Sequence, residues 1–138
     1  MKFRLTIVTP EKPVLECEAD YVSLPAAGGE LGVLARHAPC AVQLREGVLR
    51  YRGDGKSGEF AVMGGFAEIY QNSVSVFAEA AELADEINEE LERQQLQRSR
   101  AVLASRAGGT DIEAAEAQLR RSSVRLRVRE HMRRKRAA

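Results

Sequence analysis

The period of the hydrophobic residues changes once along this chain, near residue 80, and no single regular structure satisfies both halves. Up to Phe77, apolar side chains tend to alternate with polar ones, as on a strand with one buried face. Phe3, Leu5 and Ile7 oppose Arg4 and Thr6; Leu15, Cys17 and Ala19 oppose Glu16, Glu18 and Asp20. Turn-forming residues interrupt this pattern at short intervals. Thr9-Pro10-Glu11-Lys12-Pro13 redirects the chain, because proline fixes its own φ and restricts the residue before it. Gly53-Asp54-Gly55 and Gln71-Asn72-Ser73 supply left-handed backbone or local side-chain hydrogen bonds. Between the turns lie further strand candidates at 21–24, 48–52, 59–63, 67–70 and 74–77. Short strands at this spacing predict a compact antiparallel β-sandwich or barrel.

The second half follows a helical period. Leu83, Ile87 and Leu91 recur at four-residue steps, and Leu96, Val102 and Leu103 continue an interrupted stripe, which predicts an amphipathic helix over 84–106. Gly108-Gly109 is a helix stop, since glycine readily takes the left-handed conformation that closes a helix. Thr110-Asp111-Ile112-Glu113 matches a capping box and starts a second helix, with Ile112, Ala115, Leu119, Ser122 and Leu126 on one face. Serine, glutamine and arginine are as frequent along this seam as leucine. The expected hairpin therefore has a weak core of its own, and we read it as able to leave its docking site. The organisation expected is a β-sandwich domain over residues 1–82 and a two-helix hairpin over residues 83–138.

Charge divides along the same line. Residues 1–92 hold 8 Lys+Arg against 16 Asp+Glu, a balance of −8, whereas residues 93–138 hold 13 against 4, a balance of +9. The formal net charge of +1 hides this asymmetry. A basic arm of this kind fits an acidic partner, whether nucleic acid, an anionic membrane or an acidic protein surface. The acidic run Glu79, Glu82, Asp85, Glu86, Glu89, Glu90 and Glu92 has no calcium-loop spacing and reads as a solvated helix start. Cys17 and Cys40 do not make the disulfide framework of a small secreted domain and are expected as free thiols, Cys17 in a core position. The amino terminus has no signal-peptide core, no later stretch has the apolar length of a bilayer span, and the expectation is a soluble, unsecreted chain.

Catalysis has no visible apparatus. No nucleophile stands with a base, and His37 and His131 lie in different halves without metal-ligand spacing, so neither an enzyme nor a metal or cofactor site is expected. Gly28-Gly29-Glu30-Leu31-Gly32 and Gly64-Gly65 do not complete a phosphate-binding loop and read as bulges or close strand approaches.

Four ordered stretches carry a family resemblance. PAAGGELGVLARHAP at 25–39 and AVMGGFAEIYQNSVSVFAEAAE at 61–82, with the opening IVTPEKPV and the terminal hairpin, resemble the epsilon subunit of bacterial F-type rotary ATP synthases over essentially the whole chain. The resemblance implies an amino-terminal β-sandwich of about ten strands and a carboxy-terminal helical pair. It implies a non-catalytic central-stalk subunit that couples the gamma subunit to the c ring and restrains ATP hydrolysis. Through that complex it would lie peripherally on the cytoplasmic side of the bacterial inner membrane; the coupling ion, proton or sodium, stays open. By the same resemblance the sandwich binds gamma, and Glu30, Leu31, Gly32 and His37 stand where the family loop rests on the c-ring polar loops. The family usually has Pro-Gly before this histidine; Ala35-Arg36 here leaves the backbone path open.

The hairpin of the family can extend along gamma toward the catalytic beta subunits, where an acidic motif awaits basic residues. Arg120, Arg121, Arg125, Arg127 and Arg129 are the candidates here, with Arg133, Arg134, Lys135 and Arg136 as a flexible tail. Some relatives bind ATP on the folded hairpin through an Ile-Asp-x-x-Arg-Ala motif and further arginines. Arg98, Arg121 and Arg125 match the arginines, but Ile87-Asn88-Glu89-Glu90-Leu91-Glu92 replaces the motif and adds carboxylates that repel a triphosphate. The competing class is a nucleic-acid-binding protein that neutralises phosphates with its basic arm; no aromatic residues interleave that arm for base stacking.

Overall fold

In the computed structural model, which describes residues 1–105 and 110–137 (Thr110 by its backbone alone), the chain divides into two compact units, Met1–Glu82 and Leu83–Ala138. The first begins with β1 (Phe3–Val8), which turns through Thr9–Lys12 into β2 (Pro13–Ala26). The Thr9 hydroxyl donates to the Lys12 carbonyl at 3.0 Å and accepts from the Lys12 N–H at 3.3 Å, which sets this turn. β3 (Gly29–Val33) folds back on β2. β4 (Cys40–Gly53) and β5 (Lys56–Ile69) make a long hairpin whose Asp54-Gly55 turn has φ of 54° and 71°, the left-handed pair that a two-residue turn requires. Gln71-Asn72, at φ 49° and 59°, turns β5 into β6 (Ser73–Ala78), and β7 (Ala81–Glu82) pairs back on β5.

The strand order is β1-β6-β5-β4-β2-β3, and an added β1–β2 pairing closes β1, β2, β4, β5 and β6 into a ring. The unit is thus a β-sandwich with barrel closure, and the antiparallel expectation needs one correction: β1 and β6 are parallel. A closed ring of five strands cannot alternate direction all the way round, so one pair must be parallel. Among the described residues there are also seven strands rather than about ten. The candidates at 59–63 and 67–70 join as β5 across Gly64-Gly65, and Leu15 to Leu24 runs unbroken within β2. Both glycines have positive φ, and a Cβ on Gly65 would lie 2.1 Å from the Phe77 carbonyl oxygen, so the close approach expected here is real. The core contains Phe3, Leu5, Ile7, Val22, Leu24, Leu49, Val62, Val74 and Val76, each contributing about 1.5–3 kcal/mol by leaving water.

The second unit is a pair of helices, α1 (Glu89–Ser105) and α2 (Thr110–Ala137), preceded by a 3-10 turn at Ala84–Glu86. The expected helix start at 84 is corrected by Ile87, whose extended backbone breaks the turn from the helix, and by Asn88, which caps α1. The Asn88 Oδ1 accepts the Leu91 N–H at 3.1 Å, and Glu89, Glu90 and Glu92 follow at the positive end of the helix dipole. This break resets the helical phase, so Leu83 and Leu91 are exposed while Glu92 and Ser99 are buried. Gly108-Gly109 and the Thr110 hydroxyl, the expected stop and cap, lie outside the described residues.

Candidate functional site

The loop that the sequence singled out is built on β2 and β3. Register pairs Pro25 with Glu30, Leu24 with Leu31 and Ser23 with Gly32, so alternation divides the loop. Leu31 packs against the core, and Glu30 and Gly32 are exposed at the hairpin end. A second turn follows, in which the His37 N–H donates to the Leu34 carbonyl at 3.3 Å and leaves Leu34 exposed. Half-buried His37 places Nδ1 2.7 Å from the Ala38 carbonyl.

Arg36 settles the backbone path at this turn. It has φ 66°, the left-handed conformation in which glycine is free of strain, so the chain turns there without one. Its N–H donates to Asn72 Oδ1 at 2.9 Å, and Asn72 Nδ2 donates to the Lys2 carbonyl at 2.7 Å. One asparagine from the β5–β6 turn therefore ties this loop to the amino terminus.

Sequence periodicity missed a patch on the same unit. Phe66 and Phe77, from paired positions of β5 and β6, stack with ring centroids 4.9 Å apart while remaining 49% and 39% exposed. Val8, Thr9, Pro10, Ala78 and Glu79 line a shallow cleft with them. Strand alternation was the available signal, since Phe66 and Phe77 fall on the face opposite the buried Ala67 and Val76.

In the helical unit the arginines do not form one basic face. Arg125 Nη1 donates to Glu92 Oε1 at 3.3 Å, with Glu92 only 7% exposed. Arg129 donates to the Ala84 carbonyl at 3.1 Å and approaches Glu89 at 3.7 Å. Arg121 holds Gln118 at 3.2 Å, and both Arg120 and Arg127 are exposed. The residues 133–136, expected as a flexible tail, are the last turns of α2. Arg133 Nη2 donates to both carboxylate oxygens of Glu89 at 2.6 Å, and Arg136 reaches Asp85 at 3.0 Å. Arg133 and Arg134 also pair with Glu130 one turn back, and the cations suit the negative end of the helix.

These contacts change the reading of the acidic run, because Asp85, Glu89 and Glu92 are counter-ions rather than a solvated helix start. The hydrogen bond from Arg133 holds the Glu89 carboxyl below its ordinary value; partial burial opposes the depression, and the charges of Arg133, Arg93 and Arg129 add to it. Of the arginines matched to a nucleotide site, Arg98 and Arg121 line one groove between α1 and α2 with Ser99, Val102 and Gln118. Arg125 is turned to Glu92 instead, and Asp111 adds a carboxylate to the groove wall. Among the described residues, no helix is long and apolar enough to cross a membrane.

The described residues thus form a class of two-part chain without a membrane-crossing helix, a β-sandwich with an exposed loop and aromatic patch followed by a charged helical pair. The family model described as ATP synthase, Delta/Epsilon chain, beta-sandwich domain matches residues 2–84. The ATP synthase epsilon chain of Symbiobacterium thermophilum is 46% identical over 125 residues, covering 90% of each chain. That of Herpetosiphon aurantiacus is 41% identical over 128 residues, covering 93% of this chain and 94% of its own. In fold, the chain is similar to one in the Euglena gracilis mitochondrial ATP synthase OSCP/F1/c-ring structure in rotational state 1. The TM-score there is 0.71 at 23% identity, covering 97% of this chain and 81% of that one. The chain belongs to the ATP synthase epsilon chain family.

Proposed function

We propose that this chain is the non-catalytic central-stalk subunit that joins gamma to the c ring of a proton- or sodium-translocating F-type ATP synthase, and that its hairpin restrains ATP hydrolysis. Membership in the epsilon family supports this reading, and the observation that carries it is the doubly supported loop from Gly29 to Pro39. Glu30 is presented to solvent while Leu31 anchors its strand in the core and Asn72 fixes the adjoining turn. A carboxylate held in this way reaches a polar partner loop without ordering a long flexible segment first. Glu30, Leu31, Gly32 and His37 are the contact residues, and the partner is the set of c-subunit polar loops. The Phe66–Phe77 patch supplies the apolar surface that gamma covers, since an exposed aromatic pair gains most from a partner that excludes water. The chain meets the membrane only through the complex, on the cytoplasmic side of the bacterial inner membrane.

In the restraining state, Arg120, Arg121, Arg125, Arg127 and Arg129 meet an acidic surface of the catalytic beta subunits. A single exposed ion pair contributes only about 0–1 kcal/mol, so the effect is collective. Reversing a 1:99 preference between folded and extended hairpins takes about 5.5 kcal/mol of differential binding. ATP is no part of this reading, because Asp111 shares the groove of Arg98 and Arg121 and Glu92 holds Arg125. Nor is nucleic acid, because no aromatic residue interleaves the basic arm for base stacking.

The test is site-directed cross-linking in the assembled enzyme. Cysteine placed at Glu30 or Leu31 links to a c-subunit polar loop, and the chain copurifies with gamma. Failure of the link from both positions, with copurification intact, removes the c-ring assignment; failure of copurification removes the stalk role.

A further inference from the structure

Two of the arginines assigned to restraint, Arg125 and Arg129, join Arg133 and Arg136 in a ladder with carboxylates of α1 and of the 3-10 turn before it, inside the folded hairpin. Along α2, Arg125, Arg129, Arg133 and Arg136 recur at steps of four, four and three residues, which keeps them on one stripe. Along the chain running the other way, Glu92, Glu89 and Asp85 recur at steps of three and four. The pairs follow in antiparallel order: Arg125 with Glu92, Arg129 and Arg133 with Glu89, and Arg136 with Asp85. Apolar packing does not replace this ladder on the inner face of α1, where the buried residues are Glu92 and Ser99.

Resting on the reading of the hairpin as the restraining element, we propose that Asp85, Glu89 and Glu92 are an internal acidic strip that occupies Arg125, Arg129, Arg133 and Arg136 in the folded hairpin and competes with the acidic surface of the catalytic subunits for Arg125 and Arg129. The guanidinium groups of Arg125 and Arg129 cannot serve both partners, so an outside contact made by either requires its inside contact to break. Glu92 lends the closed state specificity, because a buried carboxylate that loses its arginine is left uncompensated. Its Oε2 and the Nε of Arg129 are buried without a hydrogen-bond partner among the described residues. The closed pairing is therefore incompletely satisfied, and an outside carboxylate can rival it.

The test uses the full chain and the assembled enzyme. In hydrogen exchange of the isolated chain, the double variant Glu89→Gln/Glu92→Gln exchanges the amides of α1 and α2 about tenfold faster than the parent, with the β-sandwich unchanged, as loss of several ion pairs requires. The reversal Glu92→Arg/Arg125→Glu restores much of the protection that either single change removes, which a nonspecific loss of folding does not. In the reconstituted enzyme, the double variant inhibits hydrolysis more strongly than the parent, because the arginines are released to the outside partner. Unchanged exchange in the double variant overturns the strip. Faster exchange with equal or weaker inhibition, where the parent inhibits, overturns the competition. If the parent does not inhibit at all, the restraining role falls, and the competition with it; the exchange and reversal then decide the internal strip alone.

Discussion

Arg36 donates its backbone N–H to Asn72 Oδ1 at 2.9 Å while standing at φ 66°, so a residue from the β5–β6 turn holds the candidate loop in a conformation that its own side chain disfavours. A non-glycine residue in this region costs roughly 1 kcal/mol. Arg36→Gly is expected to leave the fold intact and stabilise it by up to about 1 kcal/mol, the gain being reduced by the added freedom of the unfolded chain. Asn72→Ala removes the bonds to Arg36 and Lys2 together and is expected to cost about 1–2 kcal/mol. Urea denaturation of the two variants measures both.

Gly65 is expected to tolerate no side chain. Its φ of 114° is strained for any other residue, and the added Cβ meets backbone, the Phe77 oxygen at 2.1 Å, which cannot rotate away. Gly65→Ala therefore costs about 2–4 kcal/mol and weakens the β5–β6 pairing that carries the aromatic patch. Gly28, around which a Cβ meets nothing within 4 Å, is the control and shifts the denaturation midpoint little when replaced by alanine.

The fragment 1–82 should fold alone. The strand ring closes within it and its core needs no residue beyond Ala81. Far-ultraviolet circular dichroism of the fragment should show a β spectrum with a cooperative melt, and a random-coil spectrum contradicts the division.

Acid should loosen the hairpin before it unfolds the sandwich. The folded-state pKa of Glu89 lies below its ordinary value near 4.5, chiefly through the hydrogen bond from Arg133. A depressed carboxylate adds stability that is fully present above the ordinary value and is lost as pH falls through the folded one. Protection of the α1 and α2 amides should therefore be flat at neutral pH and decline below about pH 4.5. Glu89→Gln removes that decline, with Arg93, Arg129 and Arg133 left facing a neutral group.

How much of this was written in the sequence depends on the range of the interactions. Alternation and turn chemistry are local, so Phe3, Leu5 and Ile7, the Asp54-Gly55 turn and the close approach at Gly65 were all legible. Ring closure is not local, and nothing in β1 or β6 alone announces that they run parallel. The helix start was misplaced because Ile87 and Leu91 share a helical spacing that Asn88 interrupts, though asparagine before three carboxylates is itself a cap signal. The roles of Asp85, Glu89 and Glu92 were missed because each charge was weighed against its sequence neighbours. Their partners lie 33 to 51 residues away, and only the mirrored spacing across the hairpin turn held a hint.

The most direct measurement is ATP hydrolysis by the catalytic head and gamma reconstituted with the full chain, with residues 84–138 removed, or with Arg120, Arg121, Arg125, Arg127 and Arg129 replaced by alanine. Removal of the hairpin should raise hydrolysis while the chain stays bound to gamma. The arginine variant should move in the same direction, with inhibition that depends less on salt. Equal hydrolysis in all three assemblies, with binding confirmed in each, contradicts the account and leaves the hairpin without a restraining role.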